Sequence, residues 1–221
     1  MEKQKNTLLK NSALPAFSKM QTKDMFNAIK YLVNENKAIV KKTEKLKNPT
    51  WDNFVYQIEN SDDKISKVWA PIRHLNSVMN DKDIRKQYEK SLNLLTSYYG
   101  KIGQNKNLFS QYERVYEKNK KKLNSNQVKL LEDILKGFKL SGVHLDPAKR
   151  KSFRECQEKL AKLESKFEQN ILDSTNSWAK NIKDLKTLQG VPQNAIEIAA
   201  EVASKNKQEG YTLTLDQPCY M

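Results

Sequence analysis

From Asp146 to Ile182, apolar residues recur at Phe153, Cys156, Leu160, Leu163, Phe167, Ile171, Trp178 and Ile182. Steps of three, four and seven keep such side chains on one stripe of an α-helix. Asp146 can accept hydrogen bonds from the free amides of a first turn, and Pro147 suits the position after such a cap. No Gly or Pro follows to interrupt the helix. At about 1.5 Å per residue the rod would span about 50 Å. A rod with one apolar face must be packed by other helices. The chain is therefore expected to be mostly α, an antiparallel helical lobe with one long helix at about residues 147–182.

The composition agrees. Six Gly and six Pro in 221 residues are too few for a turn-rich β fold. With 38% hydrophobic and 30% charged residues the chain can build a core and lacks the signature of disorder. No run is long and apolar enough to cross a bilayer, and Met1–Lys10 is a poor secretory signal, so no membrane association is expected. Cys156 and Cys219 are too few and too far apart for a disulfide framework, which points to a reduced, cytoplasmic setting.

A net charge of +14 raises the question of nucleic acid, since clustered Lys and Arg release counterions from phosphates. The dense clusters are Lys118 with Lys120–Lys122, and the triplet Lys149–Lys151. Elsewhere lysines are dispersed, often beside glutamates, and no aromatic-plus-basic RNA motif or zinc-finger spacing occurs. Solvated helix faces account for the charge better than a nucleic-acid surface.

Along the chain, residues 1–13 read as a flexible N-terminus and Leu14-Pro15-Ala16-Phe17 as an extended apolar entry. Thr22 or Asp24 can cap a helix bearing Met25, Ile29, Leu32, Val33, Asn36, Ile39 and Val40, closed by Asn48-Pro49. Thr50 caps a segment with Trp51, Phe54, Val55 and Ile58, and Asp62 is expected to restart a helix through Met79. Pro71 inside that pattern implies a kink or a first-turn position. Asp81 starts a helix ending near Gly100 and Gly103, and a shorter one carries Leu108, Phe109, Tyr112, Val115 and Tyr116 into the lysine run. Asn124 or Ser125 caps a helix through Phe138, and Leu140-Ser141-Gly142-Val143 turns the chain into the rod. After Gly190-Val191-Pro192 an alanine-rich helix runs to about Ser204.

Tyr211-Thr212-Leu213-Thr214-Leu215 alternates with period two and is rich in β formers. It reads as a lone C-terminal strand at about 211–215, ended by Pro218, with no second strand to pair it. Unpaired backbone groups are costly, so the strand is expected to be completed by sequence or by a chain beyond this one.

The chemistry-bearing residues are sparse. His74 and His144 each stand alone, without H-E-x-x-H or another ligand spacing. His74 reads as a packing residue in a helix and His144 as a loop residue. Cys156 sits on the rod's stripe as an expected buried thiol, and Cys219 has no histidine near it. Trp51, Trp69 and Trp178 fall at core spacing. The acidic residues single out no acid and base pair, and there is no phosphate-binding glycine loop.

Several stretches resemble the N-terminal region of the thimet-oligopeptidase family of zinc metallopeptidases. They are Leu14-Pro15-Ala16-Phe17, Pro49-Thr50-Trp51-Asp52-Asn53, Trp69-Ala70-Pro71-Ile72-Arg73-His74-Leu75-Asn76-Ser77-Val78-Met79 and Phe138-Lys139-Leu140-Ser141-Gly142-Val143. The rod adds Ser165-Lys166-Phe167 and Asn170-Ile171-Leu172-Asp173-Ser174-Thr175-Asn176. Leu213-Thr214-Leu215-Asp216 with Pro218 and Tyr220 resembles the family's first strand after its helices. The resemblance is collinear over nearly the whole chain.

It implies the helical part of a two-lobed peptidase whose long helices wall a channel that admits short peptides. In that family zinc is bound by an H-E-x-x-H helix and a distant glutamate in the C-terminal part. There the metal polarises the scissile carbonyl and activates water. No residue here matches those positions, so no catalytic residue, metal ligand or cofactor is assigned to this chain, and the substrate-binding residues are unknown. Residues 14–205 are read as the helical lobe and 206–221 as the incomplete start of an α+β catalytic region. The chain alone is expected to be inactive, with assembly onto a separately encoded C-terminal half as one route to activity. The alternative is a helical protein- or nucleic-acid-binding module that uses the basic surface.

Overall fold

The computed structural model describes residues 6–10, 14–79 and 81–215. It is mostly α, and the chain divides into two compact units, Met1–Lys162 and Leu163–Met221.

The first unit holds α1 (Met25–Thr43), α2 (Tyr56–Val78), α3 (Lys82–Ile102), α4 (Lys106–Asn119), α5 (Ser125–Leu140) and the start of α6 (Pro147–Ser177). The caps are where small polar residues can accept from a first turn. Asp81 accepts from the amides of Asp83 and Ile84, and Asp146 from that of Lys149. Asn124 forms a capping box with Gln127, and Thr50 forms one with Asn53. Thr50 opens a π-helical turn, Trp51–Val55, that leads straight into α2. The expected restart at Asp62 is not there: the helix is continuous through it, and Asp62 spends its carboxylate on tertiary bonds instead. Pro71 also lies well inside α2, not in a first turn, so the Lys67 carbonyl lacks its usual i+4 donor.

Two apolar clusters form the core of this unit. Met25, Ile29, Val33, Ile65, Ile72, Ile84 and Leu95 pack α1, α2 and α3 together. Phe54, Val55, Leu108, Val115, Leu131 and Phe138 pack the π turn with α4 and α5. Trp69 stacks on Tyr88 at 5.0 Å, in keeping with its core spacing. α1 ends at Thr43, ahead of Asn48-Pro49. The segment after it is held from α4: Gln111 donates to the Glu44 and Leu46 carbonyls, and Arg114 donates to those of Leu46 and Lys47. At the end of α5 the Gly142 amide bonds the Lys139 carbonyl and the Val143 amide bonds that of Phe138. This is the paired closure that a left-handed residue permits, and Gly142 has φ +79°.

Thr7–Leu9 forms a 3-10 turn with Leu8 buried, and the Asn6 side chain donates to the Asp24 carbonyl at 3.0 Å. Residues 1–5, 11–13, 80 and 216–221 lie outside the described residues, and with them Pro218, Cys219 and Tyr220.

The second unit holds the rest of α6, β1 (Ala179–Ile182), a 3-10 turn at Leu185–Leu188, α7 (Gln193–Lys205) and β2 (Tyr211–Thr214). Two expectations are corrected here. The long helix stops at Ser177 rather than Ile182, and the strand at 211–214 is not alone. β1 pairs with it antiparallel, Ile182 opposite Tyr211 and Ala179 opposite Thr214. The reason is local competition. Ser174, Thr175, Asn176 and Ser177 offer the backbone side-chain bonds in place of helical ones, and Ser177 Oγ donates to the Ser174 carbonyl at 3.0 Å. Beyond them, β2 supplies ladder partners along one edge of β1. Across the pair Asn181 donates to Thr212 Oγ1 at 3.0 Å, and α7 packs on β2 with Ala199 and Ala203 buried. Gly210 enters β2 at φ +94°, where a Cβ would lie 2.4 Å from the Ile182 carbonyl oxygen.

Candidate functional site

The two apolar clusters of the first unit are separated by a polar seam. Along α1, Leu32 and Val33 belong to one cluster and Val40 to the other, with Asn36 between them. Along α2, Ile58 and Ile65 divide in the same way, with Glu59 and Asp62 between. Steps of three and four put these polar side chains on the buried stripes. Asn36 is 1% exposed and donates through Nδ2 to Asp62 Oδ1 at 2.5 Å, while its Oδ1 has no partner. Tyr99 of α3 donates to the same Asp62 oxygen at 3.4 Å, and Tyr112 of α4 to Glu59 at 3.5 Å. Both distances exceed the usual phenol–carboxylate bond of about 2.5–3.0 Å.

The seam shifts every acid in it the same way. Burial pushes the Asp62 carboxyl above its ordinary value, against hydrogen bonds from Asn36 and Tyr99 that act the other way. Burial and the neighbouring Asp62 charge push Glu59 up, offset in part by Tyr112. Tyr98, Tyr99 and Tyr112 are all held well above the ordinary phenol range, first by burial and then by these carboxylates. Among the described residues no ion pair reaches Glu59 or Asp62. The sequence carried a signal for this seam, polar residues at core positions of two adjacent helices, but Asp62 read as a helix start.

The second feature is an exposed apolar stripe in the second unit. On α6, Leu163 is 56% exposed, Phe167 66% and Ile171 51%, and just past its end Trp178 is 43% exposed. The packed stripe expected of the rod is thus apolar but uncovered, and Trp178 is not a core residue.

The remaining candidates stay apart. His74 is exposed on α2 with its ring 5.6 Å from that of Phe17, and His144 lies in the turn before α6, edge-on to Phe109 at 5.1 Å. Cys156 is exposed, not buried, because its side of α6 is uncovered. The basic triplet is largely engaged: Lys149 pairs with Asp146, Lys151 with Glu155, and Arg150 donates to the Gln104 carbonyl. Lys120–Lys122 form an exposed 3-10 turn after α4, with Lys120 4.6 Å over the Tyr116 ring.

The elements define a mostly helical class of protein, and sequence comparison assigns its family. The family description "Neurolysin/Thimet oligopeptidase, N-terminal domain" matches residues 29–150, more than half of the chain. The chain belongs to that family. It is 32% identical over 219 residues to oligopeptidase A of Haemophilus influenzae and 33% identical over 218 residues to oligopeptidase A of Salmonella typhimurium. In both cases the match covers 98% of this chain and 32% of the relative. A probable cytosolic oligopeptidase A of Arabidopsis thaliana is 29% identical over 224 residues. The chain spans about a third of the length of the curated relatives it matches.

The sequence has two histidines and no H-E-x-x-H, and the two rings pack against different aromatic partners. Among the described residues no group of three or more His, Cys, Asp or Glu is placed to hold a metal.

Proposed function

We propose that this chain is the helical N-terminal lobe of a zinc-dependent oligopeptidase that hydrolyses short peptides in the cytoplasm, and that it does not cleave peptides by itself. The observation that carries the reading is the exposed stripe Leu163, Phe167, Ile171 and Trp178, taken with a match that covers a third of each relative. Contiguous apolar surface is a mark of an interface. The partner is the catalytic part of the enzyme, following in the same polypeptide or supplied as a separate chain. In this layout residues 14–205 form the lobe and 206–221 begin the catalytic α+β region. The lobe contributes a wall that limits which peptides enter, and the catalytic part contributes the zinc and its general base.

The test is direct. Purified chain, incubated with zinc and a quenched-fluorescent oligopeptide, should show no turnover. Zinc-dependent cleavage by this chain alone would overturn the assignment of chemistry to another part.

A further inference from the structure

We propose that Asn36, Glu59 and Asp62 form a binding site for a hard divalent cation of the calcium class, at the seam where α1, α2, α3 and α4 converge. Two half-buried carboxylates, Glu59 and Asp62, stand there without an ion pair among the described residues. The independent observation is Asn36. Its side chain is almost wholly buried, its Nδ2 is bonded to Asp62, and its Oδ1 has no hydrogen-bond partner. A buried amide oxygen needs a partner, and a cation satisfies it together with the two charges. Tyr99 and Tyr112 hold the two carboxylates only by long contacts, 3.4 and 3.5 Å, which a cation can displace.

The donor set selects the ion. Carboxylate and amide oxygens are hard ligands, and calcium accepts about 6–8 oxygens in flexible geometry with water completing the shell. No thiol or imidazole belongs to the cluster, which disfavours zinc and copper. The net charge of +14 disfavours diffuse binding of divalent cations and also weakens the site itself, in keeping with a low affinity.

The experiment uses the chelator-stripped full chain and calcium chloride. Calorimetric titration should give one saturable event with Kd of about 10⁻⁴–10⁻³ M, the range of sites with few charged ligands. Because the unfolded chain lacks the site, calcium should also raise Tm in a saturable way. Asp62→Asn keeps an acceptor for Asn36 and Tyr99, so it should fold yet lose at least about tenfold in affinity, about 1.4 kcal/mol. Asn36→Leu removes the orphan oxygen without changing charge and should also weaken binding, with circular dichroism confirming unchanged helix content. No saturable heat and no Tm shift up to about 10 mM, ten times the weak end of that range, would overturn the proposal. So would a calcium response that survives combined Glu59→Gln and Asp62→Asn substitution.

Discussion

Replacing Phe167 with serine tests whether the exposed stripe is a docking surface, as proposed, or part of the core. Phe167 is 66% exposed, so about a third of its side chain is already out of water. Full burial of a phenylalanine contributes about 1.5–3 kcal/mol, which puts the loss in the isolated chain at about 0.5–1 kcal/mol. Leu131 is 0% exposed, and Leu131→Ala should cost about 2–5 kcal/mol by transfer and cavity terms. In complex with the catalytic part the remaining two thirds of Phe167 would be buried. The substitution should then weaken binding by about 1–2 kcal/mol, or about five- to thirtyfold in Kd. Urea denaturation of both variants measures the first pair of values. Titration with the part of the Haemophilus influenzae relative that lies beyond the aligned third measures the other. A loss of 2 kcal/mol or more, about that of a core residue, for Phe167→Ser in the isolated chain would refute the reasoning, as would unchanged binding.

The raised acids of the seam set a pH dependence. Glu59 and Asp62 titrate above their ordinary values of 4.5 and 3.8, so the folded chain keeps protons that the unfolded chain has released. Their contribution to stability therefore falls as pH rises from those values through the raised ones. In calcium-free buffer Asp62→Asn should have a higher Tm than the parent at pH 7 and no advantage below pH 3.8; thermal melts across pH test this, and a lower Tm at pH 7 would contradict it. Asp146 acts the other way: the Lys149 amide and other hydrogen bonds lower its value, so its stabilising effect is present above 3.8 and lost as pH falls through the lowered value. Asp146→Ala should lower Tm at pH 7 and leave it unchanged at strongly acid pH. Gly210→Ala should open the strand pair, since a Cβ cannot sit 2.4 Å from the Ile182 carbonyl, and the amides of β1 and β2 should exchange faster with deuterium while those of α1 do not.

Much of the fold is legible because its signals are local. The caps at Thr50, Asp81, Asn124 and Asp146, the closure at Gly142 and the 3.6-residue stripes of α1 to α5 depend on nearest neighbours along the chain, and each appears in the structure. β1 was not legible for a physical reason. Trp178 and Ile182 are four apart, the spacing of a helix face, and only pairing with β2, distant in sequence, makes the segment a strand. The uncovered stripe has a different cause. Periodicity says that a helix has an apolar face and is silent about what covers it, so Cys156, Phe167 and Trp178 read as core and stand exposed. The seam was half visible: Asn36 was placed on the stripe of α1, but the convergence of Glu59, Asp62 and the tyrosines is tertiary.

Exchange into a relative tests the central claim most directly. This chain would replace the aligned third of the Haemophilus influenzae oligopeptidase A, and the hybrid would be assayed with zinc on a quenched-fluorescent oligopeptide. If the chain is a working oligopeptidase lobe, the hybrid cleaves the peptide in a zinc-dependent manner and Phe167→Ser within it lowers that activity. A hybrid that folds and binds zinc but leaves the peptide intact would contradict the account.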